Sequence, residues 1–109
     1  MSILDSVNTT NDIKQLSVEQ LNHLASEIRS LIMQHIRMSG GHVGSNLGVV
    51  ELTIALHFVF NSPFDKIIFD CSHQSNTHKI LTGRKHLFSE NIDGLYFSKY
   101  TNPQESEHD

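Results

Sequence analysis

An α/β fold is what this sequence predicts: a helix-rich opening followed by one short parallel strand, incomplete as a sheet on its own. Three observations carry that reading. A long amphipathic stripe begins after Ser17, a nearly all-apolar stretch covers 47–59, and a compact apolar run, Lys66-Ile67-Ile68-Phe69-Asp70, sits between turns. A helix apolar on nearly every side and a buried parallel strand both need neighbours on more than one face.

The first helix is the most explicit. Ser17 with Gln20 three residues on forms a capping box, which satisfies two free amides at a helix start. Leu21, Leu24, Ile28, Leu31, Ile32 and Ile36 then recur at helical spacing, while Arg29, Gln34 and Arg37 keep the opposite side wet. The helix runs to about Met38, where Ser39-Gly40-Gly41 stops it. A second helix, capped by Ser45 or Asn46, reaches to about Phe60, and Asn61-Ser62-Pro63 ends it. The run at 66–70 reads as the strand, and 77–81 as a short helix ended by Gly83. From Ser89 onward the chain turns polar and mostly acidic, with Asn91, Gly94, Asn102 and Pro103, and reads as loop or disorder. The expected division is therefore a folded section, 1–88, and a polar tail, 89–109.

With 109 residues the chain has room for one small core. Its net charge of −4, with no basic stripe, argues against nucleic acid and anionic membranes as partners. No apolar run reaches spanning length, and residues 1–11 lack the basic and apolar regions of a signal peptide. The one cysteine, Cys71, excludes a disulfide framework and fits a reducing compartment. A soluble cytoplasmic protein is the expectation.

The chemistry concentrates in two loops. Ser39-Gly40-Gly41-His42-Val43-Gly44-Ser45-Asn46-Leu47-Gly48 is answered downstream by Asp70-Cys71-Ser72-His73-Gln74. Each places a histidine among small residues that let backbone approach a ligand, and imidazole moves protons near neutral pH. A glycine-rich loop opening a helix can also present amides to a phosphate. Glycine spacing alone favours a plain connection between helices; His42 adds weight to a site. His73 lies just past the expected strand end, where ligands bind in open α/β sheets; the alternative is a loop histidine satisfied by backbone.

Other candidates read more plainly. Asp70 either orients an imidazole or caps the following turn. Cys71, His73 and His78 match no standard structural zinc spacing, so no metal site is expected. Cys71 reads as a small buried residue at a strand end. Lys79, Arg84 and Lys85 form a basic cluster, taken as solvated surface rather than a phosphate contact. His57 reads as a satisfied core or interface histidine. Glu51 lies nearly opposite it on the helix and needs a partner or a wet edge.

Taken in order, the segments resemble a family. Gly41-His42-x-x-Ser45-x-Leu47-Gly48 is followed by Val50-Glu51-Leu52-Thr53-x-Ala55-Leu56-His57 and Asn61-x-Pro63-Phe64-Asp65. Then come His73-Gln74, His78-Lys79-Ile80-Leu81-Thr82-Gly83-Arg84 and, near the C-terminus, Glu105-Ser106-Glu107-x-Asp109. This is similar to the N-terminal part of deoxyxylulose-5-phosphate synthases, thiamine-diphosphate enzymes related to transketolase. The likeness is densest over 16–84.

The resemblance implies an N-terminal portion of a thiamine-diphosphate-binding, transketolase-like domain. The family condenses pyruvate with glyceraldehyde 3-phosphate and releases carbon dioxide, feeding isoprenoid, thiamine and pyridoxal synthesis. By the same resemblance His42 and His73 are catalytic, Ser45 and His73 face the cofactor, magnesium accompanies the diphosphate, and the enzyme is a homodimer. Ser72 stands where the family pattern has glycine, which restricts the backbone and shifts His73. Ser75-Asn76-Thr77 replaces Ala-Tyr-Pro. The sequence does not reach the family's Gly-His-Ser-Ser segment, its Gly-Asp-Gly…Asn magnesium motif or the glutamate that activates the cofactor. The expectation is that this chain alone neither holds cofactor nor turns over. A second expectation is a non-catalytic remnant or split subunit, docking through its apolar second helix on a full-length synthase or transketolase-like partner.

Overall fold

Two single-turn helices, α1 (Ile3–Ser6) and α2 (Thr10–Ile13), lead into the element that organises the fold, α3 (Val18–Ser39). The computed structural model describes residues 2–89 and 98–109. The capping box forms as the sequence predicts. Ser17 Oγ accepts from the Gln20 N–H at 3.2 Å, and Gln20 Oε1 accepts from the Ser17 N–H at 2.8 Å. At the far end the Gly40 N–H donates to the Ile36 carbonyl at 2.8 Å. The stripe divides into a buried centre, Leu24, Ala25, Ile28 and Ile32, and a partly buried margin, Leu21, Leu31 and Ile36. Val7, Ile13, Val50, Ile54, Ile80, Leu81 and Phe88 close over the centre from the other elements. Each such side chain taken from water contributes about 1.5–3 kcal/mol.

The predicted second helix is two helices, α4 (Val43–Leu47) and α5 (Val50–Val59). Val49, at φ −123° and ψ 18°, leaves helical geometry between them. Neither Ser45 nor Asn46 caps the start of α4 or α5: His42 is the N-cap of α4 and Val49 that of α5, both without a side-chain bond. At five residues, α4 is too short to carry the dipole that a phosphate-binding helix would present. The end of α5 is held by Lys14, whose Nζ donates to the carbonyls of His57, Phe58 and Phe60 at 2.6, 2.9 and 2.7 Å. A cation there offsets the free carbonyls of a helix C-terminus. Glu51 finds its partner across α3, in an ion pair with Arg29.

The strand expected at 66–70 is not formed, and no strand occurs among the described residues. The segment is extended, with Ile67 and Phe69 half-buried and Ile68 90% exposed between them. The alternation of a strand is present, but a strand exists only when a neighbour supplies the other half of the ladder. Cys71, read as buried at the strand end, is exposed. The chain then enters α6 (Asn76–Lys79), a wide turn at Ile80–Arg84, and α7 (His86–Ser89). Gly83 breaks the helical path as predicted, at φ 92°.

Residues 98–109 form turns without a helix. The loop signals at Asn91 and Gly94 fall outside the described residues. Among the described residues no helix is long and apolar enough to cross a membrane. The described fold is thus helix-rich, with α3 at its centre.

Candidate functional site

The first loop leaves α3 through Gly40 and Gly41. Gly41 sits at φ 138°, a conformation that side chains resist, and this turns the chain so that His42 begins α4. Asn46, one turn into α4, is buried, and its Nδ2 donates to the His42 carbonyl at 2.6 Å.

The second loop is shaped by two left-handed residues, Cys71 at φ 57° and Ser72 at φ 52°. Ser72 therefore keeps the backbone path that glycine takes freely. It is also bonded at both ends: its Oγ accepts from the Thr101 N–H at 3.0 Å and its carbonyl from Ser75 Oγ at 2.9 Å. Asp70 contributes its carbonyl, which accepts from Gln74 Nε2 at 3.2 Å.

These two loops meet. The His42 and His73 rings have centroids 4.0 Å apart and planes tilted by 42°. Tyr100 packs edge-on against His73, at 5.1 Å and 62°. His42 is exposed and His73 half-buried. The Nδ1 of His73 is shielded from solvent and has no hydrogen-bond partner among the described residues. Ser45 lies exposed on α4, one residue before Asn46. A shielded imidazole nitrogen beside an exposed imidazole can give or take a proton at a ligand seated against the pair.

A second cluster lies in the interior and corrects the surface reading of the basic residues. Lys79 and Arg84 are buried, and Lys85 Nζ donates to the carbonyls of Leu4 and Val7 at 2.7 and 2.6 Å. Lys79 Nζ donates to Glu105 Oε1 at 2.8 Å and to the Ser98 carbonyl. Arg84 grips Asp109 through both amino groups, at 2.7 and 2.8 Å, and reaches Glu105 at 2.8 Å. Burial alone would raise the Asp109 carboxyl, but bonds from Arg84 and the Asn102 N–H hold it at about 2. The Asp109 and Glu105 carboxylates in turn outweigh the burial of Arg84 and raise its pKa.

This cluster also fixes two histidines. His78 Nε2 donates to Asp109 Oδ1 at 3.0 Å, and its Nδ1 lies 2.9 Å from His57 Nε2. Burial keeps both rings neutral, His57 at about 3 and His78 below its ordinary value despite Asp109. With the His78 proton committed to Asp109, His57 Nε2–H is the donor to His78 Nδ1. His57 is only half satisfied, because its Nδ1 is buried without a partner among the described residues.

The cysteine–histidine spacing is thereby pulled apart. His73 faces His42 and Tyr100, His78 faces His57 and Asp109, and Cys71 is exposed. Among the described residues no group of three or more His, Cys, Asp or Glu is arranged to hold a metal. Sequence reasoning missed Asn46 and Tyr100 at the site. It also missed the pairing of Lys79 and Arg84 with Glu105 and Asp109, although acidic residues clustered at the C-terminus were a signal for it.

The sequence profile described as 1-deoxy-D-xylulose-5-phosphate synthase matches residues 4–109. A synthase of that name from Corynebacterium diphtheriae is 56% identical over 111 residues, covering 100% of this chain. Those of Halothermothrix orenii and Thermobifida fusca are 54% and 52% identical, over 99% and 100% of the chain. The chain spans 17% of the length of each of these relatives. It belongs to the 1-deoxy-D-xylulose-5-phosphate synthase family.

Proposed function

We infer that the chain supplies the His42–His73 pair to the thiamine diphosphate pocket of a synthase joining pyruvate to glyceraldehyde 3-phosphate with loss of carbon dioxide. The observation that carries this is the approach of the two rings to 4.0 Å from separate loops. The shielded, unpartnered Nδ1 of His73 fits a group that awaits a polar ligand atom. The neighbouring surface, with exposed His42, Gly44 and Ser45, leaves room for one.

When bound, thiamine diphosphate supplies the electron sink for breaking and forming the carbon–carbon bonds. The protein's part is positioning and proton movement. His73 orients a ligand atom through its shielded nitrogen and holds or releases a proton there. His42, with the more open ring, exchanges protons with the reacting groups. Ser45 adds a hydroxyl beside the cofactor. The described residues carry no role in holding magnesium. By the same reading the complete enzyme is a cytoplasmic, homodimeric transferase, and this chain alone binds cofactor poorly.

A chimera tests the assignment. The chain replaces the matching segment of the Thermobifida fusca synthase, and carbon dioxide release from pyruvate with glyceraldehyde 3-phosphate is measured. An active chimera that loses about 10²–10⁴-fold in rate with His73→Ala or His42→Ala supports it. Undiminished turnover in both variants overturns it. Thiamine diphosphate with magnesium should leave the melting temperature of the isolated chain nearly unchanged, whereas a ligand bound at about 100 times its Kd would add about 2.7 kcal/mol and raise it.

A second reading, a module that docks on a synthase or transketolase-like partner, is favoured by one feature. Leu16, Val18, Leu21, Ala55, Phe58 and Val59 line an open apolar groove between α3 and α5. Retention of an intact synthase by the immobilised chain, without activity in the chimera, would select this reading.

A further inference from the structure

The ring contact does not by itself hold His42 against His73. A tilted aromatic pair contributes only about 0.5–1.5 kcal/mol, and His42 stands on an exposed loop. What joins the two loops is an amide. Asn46 is 2% exposed, and both ends of its side chain are used. Nδ2 donates to the His42 carbonyl at 2.6 Å, and Oδ1 accepts from the backbone N–H of Asn76 at 3.0 Å.

Asn76 is the first residue of α6, three positions after His73. Its N–H is one of the free donors of a helix start, which the helix itself leaves without a partner. The cap here, Ser75, makes no side-chain bond to the helix; its Oγ donates to the Ser72 carbonyl. Asn46 therefore caps α6 from a distant segment. In the same bridge it restrains the carbonyl of the residue that bears the first imidazole. The task needs a donor and an acceptor on one short planar group. Aspartate keeps only the acceptor, and its charge would repel the His42 carbonyl; alanine keeps neither.

We propose that Asn46 is a positioning residue that sets His42 against His73. Its functional weight rests on the reading of that pair as cofactor-facing, whereas the positioning itself does not. Asn46 touches no reacting group and acts through the two loops it ties.

Nuclear magnetic resonance on the 109-residue chain tests this without cofactor. In the unsubstituted chain, ring-to-ring Overhauser effects between His42 and His73 are expected, with slow exchange of the Asn46 side-chain amide protons and the Asn76 N–H. Asn46→Ala should lose the ring-to-ring effects and the Asn76 protection, while the His57 and His78 ring signals keep their shifts. Asn46→Asp should lose the ring-to-ring effects but retain protection at Asn76. Persistence of the ring contact in either folded variant overturns the proposal, as does fast exchange of the Asn46 amide in the unsubstituted chain. If the variants unfold, seen as collapse of the His57 and His78 signals, the exchange measurement decides alone. Failure of the thiamine diphosphate reading would appear in the chimera and leave these signals intact.

Discussion

His57 Nε2 lies 2.9 Å from His78 Nδ1, so two neutral imidazoles share one hydrogen bond inside the molecule. Burial above all, with a smaller push from Lys14, lowers His57 from 6.5 to about 3. The unfolded chain protonates this ring below its ordinary value and the folded chain does not. The unfolded state thus binds more protons over that interval, and stability rises with pH. The contribution is complete above 6.5 and is lost as pH falls toward 3. His57 alone removes about 1.4 kcal/mol per pH unit there, and His78 acts in the same direction. Asp109 works in a lower window, its contribution present above 3.8 and lost toward 2. Urea unfolding across pH about 7.5 to about 4.5 reads the slope. Equal stability at pH about 7 and about 5 would defeat the assignment.

Arg84 and Arg29 offer a comparison of buried and exposed ion pairs. The Arg84 side chain is 7% exposed and faces two carboxylates, whereas Arg29 and Glu51 are 38% and 57% exposed. Arg84→Met takes the guanidinium from buried Asp109, while Glu105 keeps Lys79, and is expected to cost about 3–5 kcal/mol. Arg29→Ala should cost less than about 1 kcal/mol, because solvent screens the pair. Denaturant midpoints of the two variants check the ranking, and a reversal would contradict the burial of this network.

The capping box makes a local prediction. Ser17→Ala removes the acceptor for the Gln20 N–H and should cost about 1 kcal/mol. Ser17→Asp keeps an acceptor beside the positive end of α3 and should stay close to the unsubstituted chain. Thermal unfolding followed at 222 nm separates the two, and equal melting temperatures for both would count against the cap.

Gly83 makes another. It holds φ 92°, and a Cβ built there meets nothing within 4 Å. Any cost of Gly83→Ala is therefore conformational, about 1–2 kcal/mol, with no steric part. Gly83→Asn should cost less, since asparagine tolerates left-handed backbone. Unfolding free energies in which alanine and asparagine are indistinguishable would refute the backbone explanation.

Local signals were readable in the sequence because their causes lie within a few residues. Ser17, Gln20 and the stripe from Leu21 to Ile36 determine α3, and Gly83 determines the break after α6. The two histidine loops were also legible, since each sets small residues around an imidazole.

What the tertiary structure decided is what depends on distant partners. The run at 66–70 alternates like a strand, yet no ladder forms among the described residues. Lys79 and Arg84 looked like surface until Glu105 and Asp109, more than twenty residues away, neutralised them in the interior. Asn46 looked like a cap for its own helix and instead caps α6. Hydrogen bonds and ion pairs between remote segments leave no periodicity in the chain, so only the folded molecule shows that His42 and His73 stand together and that one buried amide ties their loops.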